Sequence, residues 1–259
     1  MQSWFAEWLA WPVPMVFASL FVVYLGSAAI ITWLCFASPL RERIQAFKGV
    51  VAPFFSSTAV IFGLLIAFLA NDIWDRNKQA ERIVAIESET LIALYSLSAA
   101  SGGDNQRLRT AIRAYVSAVI EDEWPRLALQ QRSARTDSAV NALLQEVALP
   151  ANAKDASVQR TMLDMVLKVH NAHEDRIALA SDRTVATKWL AVLLLAFITQ
   201  ISIAVVHLDK PRPQVAALVI FTIAAVMLLG LLAVHEAPFE PPVFVPPGPI
   251  ADVLQKVPM

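Results

Sequence analysis

The chain has a single cysteine, Cys35, only 7 glycines in 259 residues, and no Lys or Arg before Arg41. One cysteine closes no intramolecular disulfide and builds no zinc site, so Cys35 reads as a small apolar packing residue. No Gly-rich phosphate loop, nucleophile elbow or HExxH pair is present. Catalysis has no support in such a sequence: the chain reads as a non-enzyme, and no cofactor or resident metal is implied. With no basic residue in 1–12 there is no signal-peptide n-region, and the first apolar run is too long for an h-region, so it is expected to be retained. A net charge of −1 excludes a nucleic-acid binder, which needs a basic surface to neutralise phosphates.

Charge is also missing, completely, from four long apolar stretches: Val13–Ala37, Val50–Ala70, Trp189–Leu208 and Gln214–Val234. About 20 apolar residues at 1.5 Å rise cover the hydrocarbon core of a bilayer. Lipid offers the backbone no hydrogen bonds, so each stretch must be a helix. The chain therefore reads as an all-α membrane protein with four transmembrane helices. Most of its 21 basic and 22 acidic residues lie between Asn71 and Lys188, which marks that segment as water-exposed. The expected organisation is an interfacial segment 1–12, spans one and two in 13–70, a soluble helical domain 71–188, spans three and four in 189–234, and a tail 235–259.

Several local patterns refine this. Trp4, Trp8 and Trp11 share one face of a short helix, and Trp33, Trp74 and Trp189 mark span ends, so six of the 7 tryptophans read as headgroup anchors. Apolar residues at Ile73, Ile83, Ile86, Leu91, Leu94 and Leu97 extend span two as a helix to about Ala100. Residues 101–105 break it. A second helix is expected over 106–132, bent or ended by Pro125, and a third over 137–148, with a break at 150–152. From Ala156 no Pro or Gly interrupts the chain until Pro211, so span three is expected to project into water as one helix. Six prolines in 238–249 leave an extended tail, with a terminal helical turn over 251–257.

The candidate sites are few. His170, His173, Glu174 and Asp175 share a helix region but read best as a solvated surface. Glu121, Asp122 and Glu123 read as a solvated or inter-helix acidic run. No span holds a carboxylate or lysine, the usual mark of ion coupling, and Gln200 with Thr199 and Ser202 reads as an inter-helix hydrogen-bond cluster. That argues against an ion-coupled transporter and leaves open a passive pore, whose constriction can be apolar and gate by dewetting. In span two, Ala59, Gly63 and Ala67 form a small-residue row suited to close helix packing. The opposite face carries Phe54, Thr58, Ile61, Leu65 and Phe68 and leads to Asp72; it looks either at lipid or at a symmetry axis.

Phe62–Phe68, then Trp74-Asp75, Glu87 and Leu91–Tyr95, resemble a family of bestrophin-like bacterial membrane proteins. So do Ile112–Tyr115 and the distinctive run Val119-Ile120-Glu121-Asp122-Glu123-Trp124-Pro125. The tail's Pro238-Phe239 fits as well, with Glu236 where that family has Asp and without its following Gly. The resemblance implies a bestrophin-like layout in the bacterial inner membrane: a homo-oligomer, pentameric in bestrophins, whose span two lines an ion-conducting neck, with lipid, inorganic ions and other copies as partners. The acidic calcium clasp that bestrophins carry after the last span is not clearly reproduced here, where the tail offers only Glu236, Glu240 and Asp252. The alternative is a non-conducting scaffold or sensor whose helical domain binds a partner. On orientation the two lines of argument diverge. Arg41, Arg43, Lys48, Lys210 and Arg212 in the short loops place those loops in the cytoplasm by the positive-inside rule, whereas the bestrophin layout is the reverse.

Overall fold

The structure, a computed structural model, describes residues 7–9, 11–101, 106–148 and 156–257, without the side chains of residues 52 and 54. Among them there is no strand. The helices are α1 (Val13–Phe36), α2 (Arg41–Gln45), α3 (Ala52–Ala100), α4 (Gln106–Ala118), α5 (Trp124–Leu127), α6 (Ala134–Ala148), α7 (Ala156–Ser181), α8 (Ala186–Val206), α9 (Pro211–Val234) and α10 (Gly248–Lys256). Four of them, α1, α3, α8 and α9, are long and apolar enough to span a bilayer. The chain is thus an all-α membrane protein with a helical soluble portion between spans two and three.

Two compact units emerge, and α3 supplies residues to both: one comprises the residues up to Trp74 with Thr184–Glu236, the other Asp75–Arg183 with Ala237–Met259.

The transmembrane unit is cored by Val16, Leu20 and Tyr24 of α1, Ile66, Leu69 and Ile73 of α3, and Val226 and Leu229 of α9. Three spans are tied by one buried amide. Gln200 Nε2 donates to the Tyr24 carbonyl at 2.9 Å and to Thr222 Oγ1 at 2.9 Å, and its Oε1 accepts from Ser27 Oγ at 2.6 Å. A buried amide left unpaired in this setting would be costly, so the trio specifies register. The close helix approach in this unit is at Gly230, buried on α9, where a β-carbon would run into the Phe17 ring. The small-residue row of span two points to Gly63 instead, but a β-carbon there would meet nothing within 4 Å.

The soluble unit is cored by Leu91 and Leu94 of α3, Leu108 and Ile112 of α4, Leu143 of α6, and Met162 and Val166 of α7. The tail joins this core. Ile250 and Val253 of α10 are fully buried, and Arg113 donates to the carbonyls of Leu254 at 2.9 Å and Val257 at 2.8 Å.

Three expectations are corrected. The helix expected to run unbroken from Ala156 into span three is interrupted at 182–185. Its freed backbone groups are taken up by side chains: Arg76 donates to the Asp182 carbonyl at 3.3 Å, and the Thr184 N–H donates to Glu236 at 2.7 Å. Nothing in the periodicity announces such a break, because the groups that stabilise it come from elsewhere in the chain. Trp189 is not a headgroup anchor. It is fully buried, with Nε1–H donating to Glu236 at 3.1 Å and Trp8 packed edge-on at 6.4 Å. Finally, the helix expected over 106–132 is three pieces, α4, a π-helical turn at Val119–Glu123, and α5. Pro125 lacks the N–H that an α-helix needs there, and the wider turn closes through Trp124 N–H to the Val119 carbonyl. Trp4 and the breaks expected at 102–105 and 150–152 lie outside the described residues.

Candidate functional site

In span two the buried stripe is Phe62, Ile66, Leu69 and Ile73. At about 100° per residue, Ala59, Gly63 and Ala67 lie roughly 90° to one side of that stripe and Ile61, Leu65 and Phe68 roughly 90° to the other. Neither row is the face that packs within the transmembrane unit. Gly63 and Ala67 are exposed and Ala59 is half-buried. Of the pore candidates, Ile61 and Phe68 are 57% and 62% exposed, and so is their neighbour Leu64 at 53%. Thr58 and Leu65 are half-buried, Thr58 donating to the Phe55 carbonyl at 2.9 Å and Leu65 packing on the transmembrane core. Phe54's side chain lies outside the described residues. Asp72 pairs with Lys188 at 2.5 Å near the end of the apolar segment. The helix therefore offers a broad apolar arc centred on Val60 and Leu64, opposite its buried stripe.

The soluble unit holds the other concentration of chemistry. Glu87 of α3, Tyr115 of α4, Glu123 of the π turn and His173 and Arg176 of α7 are all fully buried. Tyr115 Oη donates to Glu87 Oε1 at 2.5 Å. Arg176 donates to Glu123 Oε1 from Nε at 3.1 Å and from Nη2 at 2.5 Å, and from Nη1 to Glu87. The Trp124 ring lies 5.4 Å from the guanidinium, and Phe239 of the tail packs edge-on against Trp124 at 5.8 Å. His173 Nδ1 is 3.2 Å from Glu123, and Nε2 is 3.2 Å from Asp137 of α6. One buried cation thus bridges two carboxylates, and the histidine links them to a third.

Protonation follows from this geometry. Burial pulls the Arg176 guanidinium down to about 9, still charged at neutral pH. Burial pushes the Tyr115 phenol well up, with the Glu123 charge adding to it, so Tyr115 stays a donor. Burial opposes charge on His173, but Glu123 and Asp137 outweigh it and raise its pKa. Toward solvent, Arg132 donates to both oxygens of Glu174, at 2.5 and 3.1 Å, and reaches Asp137 at 3.4 Å. Asp137, His173 and Glu174 approach one another closely enough for a metal ion, but Arg132 already supplies the cation there.

Five of the family-motif residues, Glu87, Tyr115, Glu123, Trp124 and Phe239, converge on this cluster. Trp74 and Glu121 are exposed, Glu121 pairing with Arg135 at 3.0 Å; Tyr95 lies under Arg109 at 5.9 Å. Pro125 sits in α5 after the π turn, and the Pro238 carbonyl accepts from Val245 N–H at 2.8 Å. Arg176, the centre of the cluster, was missed by the sequence reading, and His173, read as solvated surface, is corrected to a buried link. The available signal was the spacing of His173 and Arg176, which puts both on one face of α7. The tail carboxylates are also engaged: Glu236 by Thr184 and Trp189, Glu240 by Arg183. With Asp252 exposed on α10, these residues do not fit an acidic calcium clasp.

Comparison with known proteins places these features. The family model for the Bestrophin-like domain matches residues 22–250. Among solved structures, a variant of a bacterial bestrophin homologue from Klebsiella pneumoniae aligns with a TM-score of 0.72 at 12% identity, over 95% of this chain and 97% of that one. A second variant of the homologue gives 0.71 at 10% identity, covering 92% of this chain and 97% of that one. No curated protein matches in sequence.

Proposed function

We propose that this chain, which belongs to the Bestrophin-like domain family, is an ion channel of the bacterial inner membrane, a homo-oligomer whose passive pore runs along α3. One observation carries the reading: α3 turns a continuous apolar arc, with Ile61, Leu64 and Phe68, away from the side it packs within its own unit. Placed around a symmetry axis, such arcs make stacked apolar rings that resist wetting and so control ion entry. The bestrophin pentamer is the stoichiometry the fold family favours. Within this arc Ile61 and Phe68 remain pore candidates, and Leu64 replaces the half-buried Leu65. Asp72, tied to Lys188, would stand at the end of the passage with its charge balanced. The small row, with Gly63 and Ala67 open in the protomer and Ala59 half-buried beside them, is where a neighbouring copy would approach.

The test is ion flux into liposomes containing the purified protein, with subunit number measured by mass. Flux above empty liposomes from a ring-forming oligomer is the expected result. A monomer or dimer without flux would overturn the channel and leave a membrane scaffold.

A further inference from the structure

The two short loops of the transmembrane unit meet at one end of it. Gln45 of α2 donates from Nε2 to the Cys35 carbonyl at 3.1 Å and to the Leu208 carbonyl at 3.3 Å. That side chain ties the loop after α1 to the end of α8. Ile44 packs with Leu208 and Leu218 in the same small core, so the start of α9 belongs to this end too. Around it stand Arg41, Arg43, Lys48, Lys210 and Arg212, all exposed, and among the described residues none of the five has an ion-pair partner. Only Glu42 and Asp209 in these loops carry opposite charge. In the same loop as Arg41, Arg43 and Lys48, Phe47 and Val51 are 64% and 65% exposed, and Trp33 in the last turn of α1 is exposed as well. An exposed tryptophan at the end of a span sits at headgroup depth.

We propose that this end of the transmembrane unit is a binding surface for anionic phospholipid headgroups, held by five unpaired cations set around exposed apolar side chains. Charge complementarity selects the occupant. Phosphodiester headgroups with net negative charge lie at the depth of Trp33 on every copy of the protein. Phe47 and Val51 would meet the acyl boundary just below them, an arrangement a soluble acidic partner would not need. A zwitterionic headgroup offers a choline or ethanolamine cation that these residues repel. The Gln45 anchor matters because it holds α2 against the ends of two spans, so the cations are presented on a fixed platform. The surface is independent of conduction and does not depend on which side of the membrane these loops face.

The experiment uses the full-length protein in detergent with phosphatidylglycerol or phosphatidylcholine added, and counts retained lipids by native mass spectrometry. Wild type should retain phosphatidylglycerol over phosphatidylcholine, and each neutralised cation should lower that preference by about fivefold at low salt. Arg41→Gln, Arg43→Gln, Lys48→Gln, Lys210→Gln and Arg212→Gln are tested singly and together, with helical content checked by circular dichroism. Equal retention of the two lipids by wild type, or an unchanged preference in the folded combined variant, would overturn the proposal. Where the combined variant does not fold, added salt decides on wild type: the preference should collapse as salt rises, and a salt-insensitive preference would overturn it.

Discussion

Arg176 is the residue on which the soluble unit turns. Its guanidinium answers Glu87 and Glu123 from two other elements and lies beneath the Trp124 ring. A buried charge pair is not in itself a large gain over apolar packing, but removing one partner leaves the others uncompensated, at about 3–5 kcal/mol. Arg176→Met is therefore expected to lower the unfolding midpoint of the purified protein sharply, and Glu87→Gln to do so less, since the Tyr115 hydrogen bond can persist. His173 gives the pH dependence. Its pKa is raised in the fold, so its contribution is fully present below the ordinary histidine value near 6.5 and is lost as pH rises through the higher folded value. Asp137 and Glu174 act in the opposite sense. Asp137 loses solvation on burial, but His173 and Arg132 lower its pKa; Arg132 lowers that of Glu174. Their contribution is present above the usual carboxylate range and lost in acid. Thermal unfolding across pH should show a decline on the alkaline side in wild type that is absent in His173→Gln; an identical decline in that variant would refute the assignment.

At the scale of elements, the two glycines of the spans separate packing within a copy from packing between copies. Gly230 faces the Phe17 ring, which any side chain there would have to displace, whereas Gly63 faces open space. Gly230→Leu should therefore disrupt α1 against α9 and lower the yield of folded chain. Gly63→Leu should leave the folded chain intact while weakening the oligomer, because the added branch occupies the room a neighbouring helix would need. Size-exclusion chromatography with mass determination distinguishes the outcomes: a full-size Gly63→Leu oligomer of wild-type stability would mean the row faces lipid. The π turn is a second element with a purpose, since it lets Glu123 reach inward two residues before Pro125 while Glu121 stays outside.

For the molecule as a whole, the apolar arc of α3 has opposite consequences in lipid and in a pore. If Ile61 and Leu64 ring an axis, Ile61→Ala or Leu64→Ala widens and wets the ring, and liposome flux should rise. Leu64→Asp should shift permeation toward cations, because a ring of carboxylates concentrates counter-ions in a confined space. On a lipid-facing arc, Ala would be nearly silent and Asp would cost about 2.5–3.5 kcal/mol on insertion scales, reducing recovered protein. Unchanged flux with Ala and lost protein with Asp would remove α3 from the pore.

Membrane character, the four spans and the all-helical soluble portion are legible in the residues alone, because the absence of charge over a bilayer's thickness and 3.6-residue periodicity are local properties. Pro125 was legible for the same reason: proline acts on its own backbone. The tail expected to be extended is instead turned at 238–243 and folded back by Val245 N–H donating to the Pro238 carbonyl, with its helix starting at Gly248, because contacts with the soluble core decide its path. What those elements share is set by how they pack. Glu87, Tyr115, Glu123, Arg176 and Phe239 are far apart in the chain, and no local pattern says that one guanidinium will neutralise carboxylates from two other elements. The same holds for Trp189, whose anchor-like position is overridden by Glu236, and for Gly63 and Gly230. A small residue signals that close approach is permitted, and only the neighbouring helix, present at Gly230 and absent at Gly63, decides whether it happens within the chain.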